Sequence, residues 1–182
     1  NETSIKSIIV ISDQQIGCRL ALCTPTVKFD EGGIYASSPI QQKIWKYWNF
    51  FWDEWVPKVT KGENYIVVNN GDALENRHHN ATTMIPNLAD QKKLAEVILK
   101  PIVDNPKCIK YYHIRGTEAH AGPAGEDEEM LARTLGADPD EYGNYSRWEL
   151  WLRLGKSLIN FSHHIGASAS SNYESTAVLK EL

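Results

Sequence analysis

Tyr65-Ile66-Val67-Val68-Asn69-Asn70-Gly71-Asp72 is the stretch on which the fold turns. It opens on a short apolar run rich in β-branched residues, the composition of a strand buried on both faces. Gly71-Asp72 then breaks the strand and leaves a carboxylate at its end. The same grammar opens the chain, where Ser7-Ile8-Ile9-Val10-Ile11-Ser12 runs up to Asp13. It returns in Cys108-Ile109-Lys110-Tyr111-Tyr112-His113-Ile114-Arg115, which is ended by Gly116, with Glu118 and His120 just beyond. Helices are predicted between these strands. Ser38-Pro39 caps and opens one that runs to about Val56-Pro57, and others run from about Leu88 to Val103 and from Glu126 to Leu135. Trp148–Leu154 and Ser157–Ser162, joined by Gly155-Lys156, predict a β-hairpin that delivers His163-His164, and a last helix follows. Strands alternating with helices predict a layered α/β fold, in which polar residues at the carboxyl ends of strands collect in one crevice. Here Asp13, Asp72, Glu118 with His120, and His163 with His164 all stand at such ends.

The 182 residues suit a single domain spanning 1–182, with 42% hydrophobic and 23% charged residues. A net charge of −4 supplies no global basic field to recruit nucleic acid, although it leaves room for a local basic groove. No apolar run is long enough to span a bilayer, and the polar start Asn1-Glu2-Thr3-Ser4 lacks a signal-peptide core. A cytoplasmic protein with no membrane partner is therefore expected, and the missing initiator Met points to a trimmed chain. Cys18, Cys23 and Cys108 form no CxxC pair, so reduced thiols are expected and cysteine-bound zinc is not.

Residues 14–37 carry Gly17, Pro25, Gly32 and Gly33 and predict a long loop. In the first helix Ile40, Ile44, Trp48, Phe51 and Trp55 recur at helical spacing, with Trp45, Tyr47 and Trp52 beside them. This stripe predicts core packing, with base stacking on Trp45 and Trp52 as the sharper alternative. Glu126-Asp127-Glu128-Glu129 predicts a solvated helix start favoured by the dipole.

Paired divalent ions need a carboxylate that bridges them, which lowers their repulsion and sets their spacing, together with neutral imidazoles. Asp72 is the best bridge, because Gly71 lets the backbone approach closely. Asp13 and His163 suit terminal positions.

The order Asp13-Gln14-Gln15, Gly71-Asp72, Gly116-Thr117-Glu118-Ala119-His120 and His163-His164 resembles the calcineurin-like metallophosphoesterases, in the branch common in phage and prophage genomes. That family carries D-x-H, G-D, G-N-H-D/E, a lone His after a strand, and G-H-x-H. The resemblance implies a β-sheet sandwich flanked by helices, with the metal site at the carboxyl ends of the strands. It also implies two divalent ions, Mn2+ before Mg2+, Fe or Zn2+. Asp13 then matches the first-metal aspartate, Asp72 the bridge and His163 the second-metal histidine, with His164 its alternative. His120 matches the histidine that protonates the leaving oxygen. Gln15 stands where the family has a metal-binding His, and an amide oxygen suits Mn2+ or Mg2+ better than zinc. Glu118 or Thr117 takes the asparagine position, with Glu118 as a ligand. His79, Arg115 and His164 are candidate phosphate contacts, with His78 and Asn76 weaker. His113, inside a strand, is structural.

All six histidines (His78, His79, His113, His120, His163 and His164) are thereby used, and no G-H-x-H remains. The domain is accordingly expected to be incomplete at its C-terminus, with an exposed edge and a tendency to form homo-oligomers. The implied activity is hydrolysis of a phosphate ester, foremost a phosphodiester in DNA or RNA, in a bacterial host or phage setting. The rivals are a non-catalytic binding or assembly module and a one-metal enzyme built on Asp13, Asp72 and His163.

Overall fold

The computed structural model describes residues 5–76 and 83–164. Its centre is a four-stranded parallel sheet, and the apolar runs become its strands. β1 (Ile8–Ile11) is followed by a small antiparallel hairpin of β2 (Thr26–Lys28) and β3 (Ile34–Ala36). Helix α1 (Pro39–Phe50) leads through a π-helical turn (Phe51–Trp55) into α2 (Val56–Thr60). Then come β4 (Tyr65–Asn69), α3 (Leu88–Val103), β5 (Cys108–Ile114), α4 (Glu118–Ala121), α5 (Glu126–Leu135), β6 (Ser146–Arg147), β7 (Glu149–Leu154) and β8 (Ser157–Ser162).

The sheet order is β1-β4-β5-β6. Val10 pairs with Val68, Asn69 with His113, and His113 with Ser146, so the carboxyl ends of the long strands lie level. Strand alternation splits β4 between two cores. Val67 faces the helices, where Leu94, Ile98 and Leu99 of α3 and Leu131 and Leu135 of α5 cover it. Ile66 and Val68 face the other way, with Tyr112 and Ile114, against Leu150 of β7 and Phe161 of β8. All five β4 residues are buried, as a two-sided apolar run demands. The fold is thus α/β, a parallel sheet with helices on one face and the β7–β8 hairpin on the other.

Local signals explain the helix starts. Ser38 Oγ accepts from the Gln41 N–H while the Gln41 side chain accepts from the Ser38 N–H, a reciprocal cap. Asn87 Oδ1 accepts the Ala89 N–H at 2.9 Å to start α3.

Several expectations need correction. The loop over residues 14–37 contains the β2–β3 hairpin. The fourth sheet strand, β6, is two residues long and polar, so it carries no periodicity to read. The first helix does not stop at Val56-Pro57 but continues to Thr60. The π-helical turn changes the hydrogen-bond register just before Pro57, where a residue without an N–H costs least. The same turn disturbs the aromatic stripe. Ile44, Trp48 and Phe51 pack on the core, as do Trp45 and Trp52, whereas Ile40 and Trp55 are exposed. A 3.6-residue period does not run unchanged through a wider turn. The acidic run is also not a solvated start: Asp127 and Glu128 are buried. The helix expected after His164 lies outside the described residues. Among the described residues no helix is long and apolar enough to cross a membrane. Cys18, Cys23 and Cys108 carry free thiols.

Candidate metal centre

The loops that leave β1 and β4 are bound to each other by their backbones. Asp13 N–H donates to the Gly71 carbonyl at 3.0 Å, Gln15 N–H to the Asp72 carbonyl at 3.0 Å, and Ile16 N–H to the Ala73 carbonyl at 2.9 Å. This zipper requires unusual backbone. Asp13, Gln15, Asp72 and Asn76 all adopt left-handed φ values, of 56°, 44°, 54° and 55°. Asp and Asn tolerate that region, but Gln does so only under constraint, and such strain gathers at functional sites. Gly71 lies at φ 89°, and a Cβ there would come within 2.7 Å of His163 Nδ1 and 2.8 Å of the Gly116 Cα. The close approach anticipated for Gly71 is therefore real, and it involves three strand ends at once.

Asp13, Asp72 and His163 each offer a ligand atom, and these atoms lie within 4.8 Å of one another, enough to hold a metal ion. It is the one such group of His, Cys, Asp and Glu among the described residues. Asp72 is buried and committed on one side. Its Oδ1 accepts the Thr117 N–H at 2.7 Å and the Thr117 hydroxyl at 3.2 Å. Its Oδ2 faces His163 Nε2 at 3.1 Å and His120 Nε2 at 3.8 Å. His163 Nδ1 sits on the Asn70 carbonyl, an acceptor only, so Nδ1 carries the proton. Once its second proton is lost, the ring therefore turns an Nε2 lone pair toward the cluster, the usual arrangement of a metal-binding histidine. Asp13 takes a hydrogen bond from the Ser12 hydroxyl.

Burial works to raise the Asp72 carboxyl. The His163 hydrogen bond, the Thr117 N–H and the two imidazoles outweigh it and hold the group below its usual range. The hydrogen bond to Asp72 in turn raises His163, against burial, from 6.5 to about 9. Because the folded value exceeds the unfolded one, the metal-free ion pair stabilises the fold fully below about pH 6.5 and fades as pH rises through about 9. An incoming cation must displace that proton. Mn2+ affinity should therefore rise with pH, by up to about tenfold per unit, and level off above about 9, as titrations across that range would report. A flat profile would show that His163 takes no part in binding.

The other candidates divide. His120 is buried, with Nδ1 3.0 Å from the Glu75 carbonyl, so its Nε2 is the atom presented to Asp72. Thr117, not Glu118, contacts Asp72, while Glu118 is exposed at the start of α4 and lies outside the cluster. The reason is geometric: the turn after Gly116 points the Thr117 N–H and hydroxyl inward, and α4 carries Glu118 away. Arg115, a candidate phosphate contact, is engaged in structural contacts. Nε donates to the Ser146 carbonyl and hydroxyl, Nη1 to the Ala124 carbonyl, and the guanidinium lies 5.2 Å over Trp148. His164 is exposed and lines, with His163 and Thr117, a cavity of about 610 Å3. Asn76 is buried and tied to Asp127 and the His120 carbonyl rather than facing the crevice. His113 is fully buried beside Glu128 and Tyr111, as a structural residue should be. His78 and His79 lie outside the described residues.

Sequence reasoning missed Glu128. It is fully buried, its Oε1 accepting the Ala73 N–H at 2.9 Å and its Oε2 the Gly116 N–H at 2.5 Å. It therefore bridges the residue after Asp72 to the residue before Thr117. Its signal was present in the helical phase, since Glu128 shares a face with the buried Leu131, Ala132 and Leu135.

No protein-family model matches the chain, and neither a curated protein nor a solved structure does.

Proposed function

We propose that the protein is a divalent-metal-dependent phosphoesterase of the calcineurin-like kind, acting foremost on phosphodiesters. The convergence of Asp13, Asp72 and His163 carries this reading. The parallel sheet with its opposing hairpin supports the sandwich architecture implied by the resemblance. A bound Mn2+ supplies an activated water and neutralises charge on the phosphoryl oxygens. The chain's own residues do the rest. Asp72 is oriented by Thr117 before any ion arrives, and His163 is held in its ligating tautomer by the Asn70 carbonyl. His120, with Nδ1 on the Glu75 carbonyl, presents its Nε2 on the Asp72 side, where a leaving alkoxide would need a proton donor. The resemblance implies a second ion sharing Asp72.

One observation favours a rival. Gln15 replaces an imidazole, which suits a module that binds metal without turnover. Hydrolysis of bis(4-nitrophenyl) phosphate, measured with elemental analysis of the Mn2+-loaded protein, separates these readings. Mn2+-dependent hydrolysis with about one or two ions per chain is expected. Bound metal without hydrolysis would favour the binding module, and no bound metal would overturn the centre.

A further inference from the structure

A second cavity, of about 570 Å3, opens on the Asp13 side of the metal centre. Its lining includes Asp13, Gln14 and Gln15 from the loop after β1 together with Tyr47, Trp48 and Phe51. We propose that this cavity is a nucleobase subsite, which takes the planar base of a nucleoside phosphate whose phosphoryl group lies on the Asp13–Asp72–His163 cluster. The inference deepens the phosphoesterase reading and rests on it.

Three observations carry it. Gln14 is 4% exposed, and neither its amide nitrogen nor its amide oxygen meets a hydrogen-bond partner among the described residues. A buried amide left unpaired is costly, so a group that supplies both halves of the pairing gains by entering. A donor beside an acceptor is what the edge of a nucleobase presents, and a glutamine amide matches it with two hydrogen bonds. Tyr47, Trp48 and Phe51 stand among otherwise largely aliphatic walls, and Tyr47 keeps 62% of its surface exposed, which leaves an aromatic surface on which a base can stack. Among the described residues no lysine or arginine lines the cavity, so it suits a neutral ring and leaves the phosphate to the metal centre beside Asp13. The volume falls in the range of small-molecule sites.

The test is calorimetric binding of adenosine 5′-monophosphate and of ribose 5-phosphate to the Mn2+-loaded protein. The two ligands share the phosphate and the sugar and differ in the base. The nucleotide should bind tighter by about tenfold or more. Tyr47→Ala and Gln14→Met should each shrink that preference. Gln14→Met should do so while holding or raising the melting temperature, because it removes an unpaired buried amide, and a purely structural Gln14 would not behave in this way. Equal affinity for the two ligands, or a preference that survives both substitutions, would overturn the subsite. A protein that takes up Mn2+ but binds neither phosphate would overturn the phosphoesterase reading, and the subsite with it.

Discussion

Asp72→Asn protein, loaded with Mn2+ and desalted, should emerge without metal while keeping its fold. The Asp72 side chain meets Thr117, His120 and His163 together. Asparagine retains an acceptor for the Thr117 N–H, so the turn after Gly116 stays seated. What is lost is the charge that draws a cation and the oxygen opposite His163. Removing a group that merely supports a ligand costs roughly 10–100-fold in affinity, and loss of a charged ligand should cost more. The His163 imidazole should also lose its raised titration, since Asp72 is its first cause. Elemental analysis and a thermal melt of both proteins decide the matter. Metal retained by the variant would remove Asp72 from the centre.

The second large effect is on stability. Glu128→Ala should come close to unfolding the domain. It strips the acceptor from two buried N–H groups, those of Ala73 and Gly116, and opens a void between α5 and the strand ends. Each stranded donor costs about 1–3 kcal/mol. Together they approach the roughly 5–15 kcal/mol that holds a domain folded. Glu128→Gln keeps one acceptor and should cost only about 1–3 kcal/mol. Denaturant titrations of the two variants test the ordering. An alanine variant as stable as the glutamine one would mean that the Ala73 and Gly116 donors find other partners.

The ends of β1, β4 and β5 were legible because a buried strand must be apolar and a polar residue just past it stands out, and the end of β8 was legible through the Gly155-Lys156 hairpin turn. Asp13, Asp72 and His163 were found in that way, and the structure gathers them. Glu118 was misplaced because side-chain chemistry was weighed and backbone chemistry was not. The group that reaches Asp72 is chiefly the Thr117 N–H, which every residue but proline carries. Glu128 was hidden by its neighbours. In a run of four acids the eye reads charge, while helical phase separates the exposed Glu126 from the buried Glu128. β6 was illegible in principle, since its two residues pair only because β5 already stands there. The left-handed backbone of Gln15 was likewise beyond reach, because the constraint comes from Asp72 on the loop after the neighbouring strand.

The π-helical turn at Phe51–Trp55 has a further consequence. Trp48, Trp52, Val56 and Thr60 follow one another at intervals of four, and all are at least partly buried. In a regular α-helix each such interval overshoots a full turn by about 40°, and three of them would swing Thr60 toward solvent. A turn closed five residues back absorbs the excess and returns Val56 and Thr60 to the core. In evolutionary terms the helix is one residue longer than its path, like a bolt of cloth with a tuck. Losing one residue there would leave a regular helix over the same path.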